Sequence, residues 1–128
     1  MTISDLNYLL LFVAGLQVKH AICDGPLQTL PMIKGKRIYL GPLGLAHAAI
    51  HAAGTLLVMA LAGVPLQLAL MLAVVDFAIH YHVDFGKEYA LRKSGWTTTD
   101  SYFWWAYGTD QMLHQLTYLL LVWLAFKP

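Results

Sequence analysis

Histidines and aspartates recur four residues apart in four separate parts of the chain. The groups are His20 with Asp24, His47 with His51, Asp76 with His80 and Asp84, and Asp110 with His114. Residues four apart lie on one face of an α-helix, so each group predicts a polar stripe. Facing imidazoles and carboxylates on helices are ligands for zinc, iron or manganese. The spacing therefore predicts a metal site where the stripes meet.

Eight of these side chains are the predicted metal ligands: His20, Asp24, His47, His51, His80, Asp84, Asp110 and His114. One four-coordinate ion would leave several of them buried and unpaired, which is costly, so we expect two divalent ions. Zinc is favoured, with iron or manganese as alternatives. Asp76 and Asp84 are the predicted general bases, and Asp76 also suits the orientation of an imidazole. Interhelical hydrogen bonding is the competing interpretation of any single pair. His82 points elsewhere on its helix and is expected at the membrane interface.

The composition indicates what must position these residues. The chain has 128 residues, of which 59% are hydrophobic and 12% charged, and its mean hydropathy is +0.59. These values are typical of a membrane protein of one domain, residues 1–128. A spanning helix needs about 20 apolar residues. We predict an all-α, up-down-up-down bundle of four transmembrane helices over about 6–23, 45–63, 65–85 and 102–126. The first is expected to be permanent, not a cleaved signal.

Antiparallel packing of these helices would bring every polar stripe to the same membrane depth. The segment at about 86–94 is predicted as an interfacial helix and residues 27–44 as a loop. Aromatic residues near the start of the last helix, such as Trp104 and Trp105, indicate an interface belt.

Basic residues predict the orientation of the bundle. Seven of the eight lysines and arginines lie at one side, and only Lys127 lies at the other. The positive-inside rule places that basic side in the cytoplasm and both termini on the non-cytoplasmic side. Lys19 and Lys87 are interpreted as topology anchors, with phosphate binding as the alternative. Charges dispersed in this way do not favour nucleic-acid binding. The single cysteine, Cys23, excludes a disulfide framework and a cysteine metal site.

The motifs resemble those of a known family. The segments that carry the resemblance are 20–28, 47–51, 80–87 and 110–114. They look like the motifs of the bacterial domain-of-unknown-function family 3307, and the resemblance covers nearly the whole chain. It implies a small polytopic protein of the bacterial inner membrane and no particular activity. A more distant likeness to membrane-bound metal-dependent hydrolases rests on the same histidines and is analogy.

Three classes of function follow from these observations. The first is a metal-dependent hydrolase that acts on a lipid-like substrate from the cytoplasmic leaflet, with iron-dependent lipid oxidation as the variant that uses the same ligands. The second is a protein that transports protons or metal ions. The third is a structural or accessory subunit of a larger membrane assembly or homo-oligomer. Membrane lipid is an expected partner in each case.

Overall fold

The structure is a computed structural model, and it describes residues 3–127. Five helices follow one another along this part of the chain: α1 (Ile3–Asp24), α2 (Leu30–Gly35), α3 (Pro42–Leu61), α4 (Leu66–Ser94) and α5 (Ser101–Phe126). The predicted all-α fold is confirmed.

The helix boundaries differ from the prediction in two places. The segment at 86–94 is the continuation of α4, which ends only where Gly95 adopts a left-handed φ of 68°. Glycine reaches that conformation without a steric penalty, so it terminates the helix. Part of the predicted loop at 27–44 forms α2, because Thr29 accepts a hydrogen bond from the Met32 N–H and Pro31 lies in the first turn.

Helix α2 rests directly on the start of α3. A Cβ atom on Gly35 would lie 2.5 Å from the Cβ of Leu43, so only glycine permits this approach. The backbone then turns through Leu40, which has a left-handed φ of 56° and donates its N–H to the Tyr81 hydroxyl. These contacts fix the connection between α1 and α3 against the bundle.

Three of the helices in the described part of the chain, α1, α3 and α4, are long and apolar enough to cross a membrane. Their outward faces carry exposed apolar side chains such as Leu11, Leu61 and Leu66. Helix α5 is as long, but Asp110, Gln111, His114 and Gln115 interrupt its apolar run. The chain thus has the helices of a membrane protein, although the predicted count of four spans is not reproduced.

The four long helices form a closed ring in which each packs against two antiparallel neighbours. Helix α1 packs against α3 and α5, and α4 packs against the same two helices. At one end of the interior α1 meets α5 through the rings of Phe12 and Phe126. At the other end α1 meets α5 through His20 and Gln111.

The interior of the ring divides into two halves. The apolar half is a core of buried side chains: Phe12, Leu16, Met59, Val64, Ala69, Leu72, Tyr118 and Leu121. The polar half holds the buried charged and imidazole side chains: Lys19, His20, Lys36, His47, His51, Asp76, His80, Asp84, Glu88, Asp110 and His114.

Candidate metal centre

The first group of converging side chains comes from three helices. Asp24, His47, His51 and His80 each offer a ligand atom, and these atoms lie within 4.8 Å of one another. The Nε2 atoms of His47 and His51 lie 3.0 and 3.3 Å from Oδ1 of Asp24. Nε2 of His80 lies 3.3 Å from Nε2 of His47. All three imidazoles are fully buried.

A second group lies beside the first and involves α4 and α5. His80, Asp84 and His114 offer ligand atoms within the same 4.8 Å limit. Nε2 of His114 lies 3.8 Å from Oδ1 of Asp84 and 3.6 Å from Oδ1 of Asp110. The other oxygen of Asp84, Oδ2, lies 3.3 Å from Nε2 of His80. Asp84 therefore stands between the two groups, with one oxygen toward each.

Several of the atoms that converge are close but are not hydrogen-bonded. Within residues 3–127, the buried atoms without a hydrogen-bond partner include Asp24 Oδ1, His51 Nε2, Asp84 Oδ1, Asp110 Oδ1 and His114 Nε2. Two ligand atoms about 2.1 Å from one ion lie roughly 3.0–3.4 Å apart for octahedral to tetrahedral angles. The contacts of Asp24, His47, His51 and His80 match that spacing, so this donor set fits a zinc-like ion.

The imidazoles are also held against one another. The rings of His51 and His80 stack with centroids 3.6 Å apart, and those of His80 and His114 stack at 4.0 Å. The Nδ1 atoms of His47, His51 and His80 have no hydrogen-bond partner in the described part of the chain. Stacking, rather than hydrogen bonds to Nδ1, therefore sets the orientation of these rings.

His20, one of the eight predicted ligands, lies behind Asp24 instead of among the converging atoms. Its Nε2 is 3.2 Å from Oδ2 of Asp24 and 3.1 Å from Oε1 of Gln111. Its Nδ1 is 2.7 Å from the hydroxyl of Tyr118. Since both ring nitrogens have partners, His20 positions the Asp24 carboxylate. The structure brings together the other seven predicted ligands: Asp24, His47, His51, His80, Asp84, Asp110 and His114.

Asp76, a predicted general base, forms a buried ion pair one turn deeper in the bundle. Its Oδ2 lies 2.9 Å from Nζ of Lys19 and accepts a hydrogen bond of 2.6 Å from the Thr55 hydroxyl. Lys19 also donates to the backbone oxygen of His51. In the described part of the chain Asp76 has no hydrogen bond or ion pair with an imidazole. Its geometry is that of a support for Lys19 and His51, whereas Asp84, the other predicted base, lies within the site.

Three lysines turn into the bundle and contact the carboxylates of the polar half. Nζ of Lys36 lies 2.9 Å from Oδ2 of Asp84 and 3.9 Å from Oδ1 of Asp24. Nζ of Lys87 lies 3.4 Å from Oδ2 of Asp110 and 3.8 Å from Oδ1 of Asp84. Lys19 is 6% exposed and Lys36 4% exposed. Lys19 and Lys87 thus form ion pairs inside the bundle, and their interpretation as topology anchors stays a prediction.

A signal for one of these lysines was present in the sequence. Lys87 follows Asp84 by three residues and continues its polar stripe along α4. Lys36 had no such signal, because it reaches the site only through the fold of α2.

Two openings lead to the site. The first is a mainly apolar cavity of about 730 Å³ between α4 and α5, which we call the α4–α5 groove; Lys87 and Asp110 form its polar end. The second is a polar cavity of about 290 Å³, which we call the vestibule; its lining includes Asp24, Lys36 and Lys87. His82 is exposed and lies on the groove, away from the converging atoms.

Comparison with known proteins gives one match. Residues 11–128 match the family described as protein of unknown function (DUF3307). No curated protein and no solved structure matches the chain. The family resemblance predicted from the motifs is confirmed, and the description of the family assigns no activity to this site.

Proposed function

We propose that the chain, which belongs to the DUF3307 family, is a membrane-embedded metal-binding protein that acts as a metal-dependent hydrolase on a lipid-like substrate. The observation that carries the proposal is the convergence of buried polar atoms without hydrogen-bond partners in residues 3–127, including Asp24 Oδ1, Asp84 Oδ1 and Asp110 Oδ1. Such atoms destabilise a protein unless a ligand satisfies them. A metal ion is the ligand that satisfies carboxylates and imidazoles together.

The donor atoms support two ions. One imidazole nitrogen binds one ion, so Nε2 of His80 belongs to a single site. Asp24, His47, His51 and His80 then form the first site, and Asp84, Asp110 and His114 form the second. Asp84 faces both through its two oxygens, which suits a bridging carboxylate. Nitrogen and oxygen ligands without thiolate favour zinc, with iron or manganese as alternatives.

Ions bound there would supply Lewis acidity, which polarises a substrate oxygen and makes water a better nucleophile near neutral pH. Hydrolysis transfers the hydroxyl of water to the acyl or phosphoryl group and a proton to the leaving alcohol. Asp84 and Asp110 lie where a carboxylate can accept the proton of water and return it. Lys87 contacts both carboxylates, so it can also hold them in place. Iron in place of zinc would favour lipid oxidation instead.

We further propose that α5 is a fourth span and that the polar half faces the cytoplasm of a bacterial inner membrane. Helix α5 is antiparallel to α1 and α4 and completes the ring. Exposed cations near the polar end, including Lys34, Arg37, Arg92 and Lys93, support this orientation by the positive-inside rule. Both termini would then be non-cytoplasmic.

Membrane-impermeant maleimide should label a Lys127→Cys variant from outside and leave a Lys93→Cys variant unlabelled.

A structural role is the alternative that one observation favours. Lys36 and Lys87 already contact the carboxylates, so ion pairs alone could hold the helices together. Transport has less support, because the apolar half fills the rest of the interior with side chains such as Leu16, Met59 and Leu121.

Elemental analysis of detergent-purified protein tests the proposal. Wild type from metal-replete cells should contain about two ions per chain. His80→Ala should lose at least one of them, because the variant removes a ligand of the first site. His82→Ala is the matched control: it lies two residues away on the same helix, is exposed, and should keep the wild-type content.

Metal-free wild type, or a folded His80→Ala variant with unchanged metal content, would overturn the proposal and leave the structural role. If metal binds, its identity separates hydrolysis from oxidation. Release of a headgroup or acyl chain from bacterial lipid by metal-loaded wild type, lost when a chelator removes the metal and restored when the metal is returned, would support the hydrolase.

A further inference from the structure

The net charge of the polar half would change from negative to positive on binding of two divalent ions. Lys19 pairs with Asp76, and Arg37 pairs with Glu88. This leaves the carboxylates of Asp24, Asp84 and Asp110 facing the ammonium groups of Lys36 and Lys87. Three negative and two positive charges leave one negative charge, and two divalent ions would turn it into three positive charges. The metal-loaded site therefore attracts an anion.

The vestibule is built to receive such an anion. Lys36 and Lys87 both line it, and the side chains of both are less than a tenth exposed. Gln28 and Gln111 add amide groups to the same wall. Its volume of about 290 Å³ is room for a headgroup with several waters, each of which occupies about 30 Å³ in the liquid. A doubly charged phosphate monoester balances the excess charge better than a single carboxylate does.

The α4–α5 groove and the vestibule have a lining residue in common. Lys87 lines both the vestibule and the groove. Beyond Lys87 the groove is walled by small or apolar residues, among them Ala78, Val83 and Gly86 on α4 and Ala106 on α5. In a bilayer, a groove of this kind on the outer face of two helices lies among acyl chains. One ligand with a charged head and an apolar chain therefore fits both cavities.

We propose that this site binds an anionic membrane lipid with a phosphate-type headgroup. Lys36 and Lys87 hold the headgroup oxygens in the vestibule, and an acyl chain lies in the α4–α5 groove. This inference rests on the proposed metal centre. The positive charge of the ions would compensate the carboxylates and release the ammonium groups of Lys36 and Lys87 for the headgroup.

Binding of a fluorescent phosphatidic acid to metal-loaded protein in phosphatidylcholine nanodiscs tests the inference. Diacylglycerol with the same chains is the uncharged comparison, and inorganic phosphate is the chain-free one. Wild type should bind phosphatidic acid about tenfold or more tightly than diacylglycerol. Lys87→Met should lose most of that preference, because one charge-assisted contact changes an affinity by about this factor.

A substitution in the groove distinguishes lipid from free phosphate. Gly86→Leu adds a side chain to the groove lining, at a position where a Cβ atom would meet nothing within 4 Å. It should weaken phosphatidic acid and leave inorganic phosphate binding unchanged. Gly108→Leu is the matched control, because that glycine is also helical, exposed and open, but lies outside the groove lining. It should bind phosphatidic acid as wild type does.

Metal content measured on each sample separates the two proposals. Metal-loaded wild type that binds both lipids equally, or a Gly86→Leu variant that binds phosphatidic acid normally, overturns the lipid inference alone. Phosphate bound without any effect of the acyl chain also overturns it. Wild type without metal overturns the proposed metal centre, whatever lipid it binds.

Discussion

The two halves of the bundle are built from the same helices but are stabilised in different ways. Helix α3 contributes Met59 to the apolar half and His51 to the polar half, and α5 contributes Leu121 and His114 in the same manner. Transfer of an apolar side chain from lipid to the protein interior gains little free energy. Close packing of the side chains therefore stabilises the apolar half. Buried charges are costly in that environment and persist where they have a function. This difference is the reason for our proposal that the polar half serves ligand binding more than folding.

The largest expected effect comes from breaking the deepest ion pair of the polar half. Lys19→Met leaves the Asp76 carboxylate buried without its cation. We expect a loss of about 3–5 kcal/mol of stability, measured as the free energy of unfolding in detergent. Asp76→Leu added to Lys19→Met should restore much of it. Lys127→Met, at the exposed end of the chain, should change little. A Lys19→Met variant with the free energy of unfolding of wild type would contradict the view that this pair supports the site.

Metal should stabilise the polar half specifically. Zinc at one hundred times its dissociation constant should add about 2.7 kcal/mol of stability for each site it occupies, because it binds the folded state only. The measurement is the thermal midpoint with zinc and with a chelator. The shift should be smaller in His80→Ala, which loses a ligand of the first site. An equal shift in His80→Ala would mean that zinc binds elsewhere.

A cavity in the apolar half should lower stability and leave metal binding intact. Leu16 is fully buried in the core cluster. Leu16→Ala should cost roughly 2 kcal/mol, at the low end for such changes because lipid, not water, is the competing environment. The zinc-dependent shift should match that of wild type. If Leu16→Ala abolished the shift, the two halves would not be independent.

The sequence predicted the long helices and most of the converging residues for physical reasons. Apolar runs of bilayer length and histidines and aspartates at helical spacing are local signals, and antiparallel helices bring such stripes to one level. The role of His20 was not predictable, because it depends on Gln111 and Tyr118 from another helix.

The lysines that turn into the bundle show the limit of the same reasoning. The positive-inside rule counts charges near helix ends and does not say whether a side chain turns into the bundle. Lys19 turns inward because Asp76 lies across from it on α4. Lys36 turns inward because Gly35 allows α2 to rest on α3.

The contact of α2 with the start of α3 has a consequence for the rate at which a ligand could exchange. A helix of six residues is too short to be stable in isolation, so its position depends on its contact with Leu43 and on the Leu40 to Tyr81 hydrogen bond. Lys36 can withdraw from Asp84 by detachment of this segment alone, while the four long helices stay closed. Amide protons of residues 32–36 should accordingly exchange with solvent much sooner than those of α3.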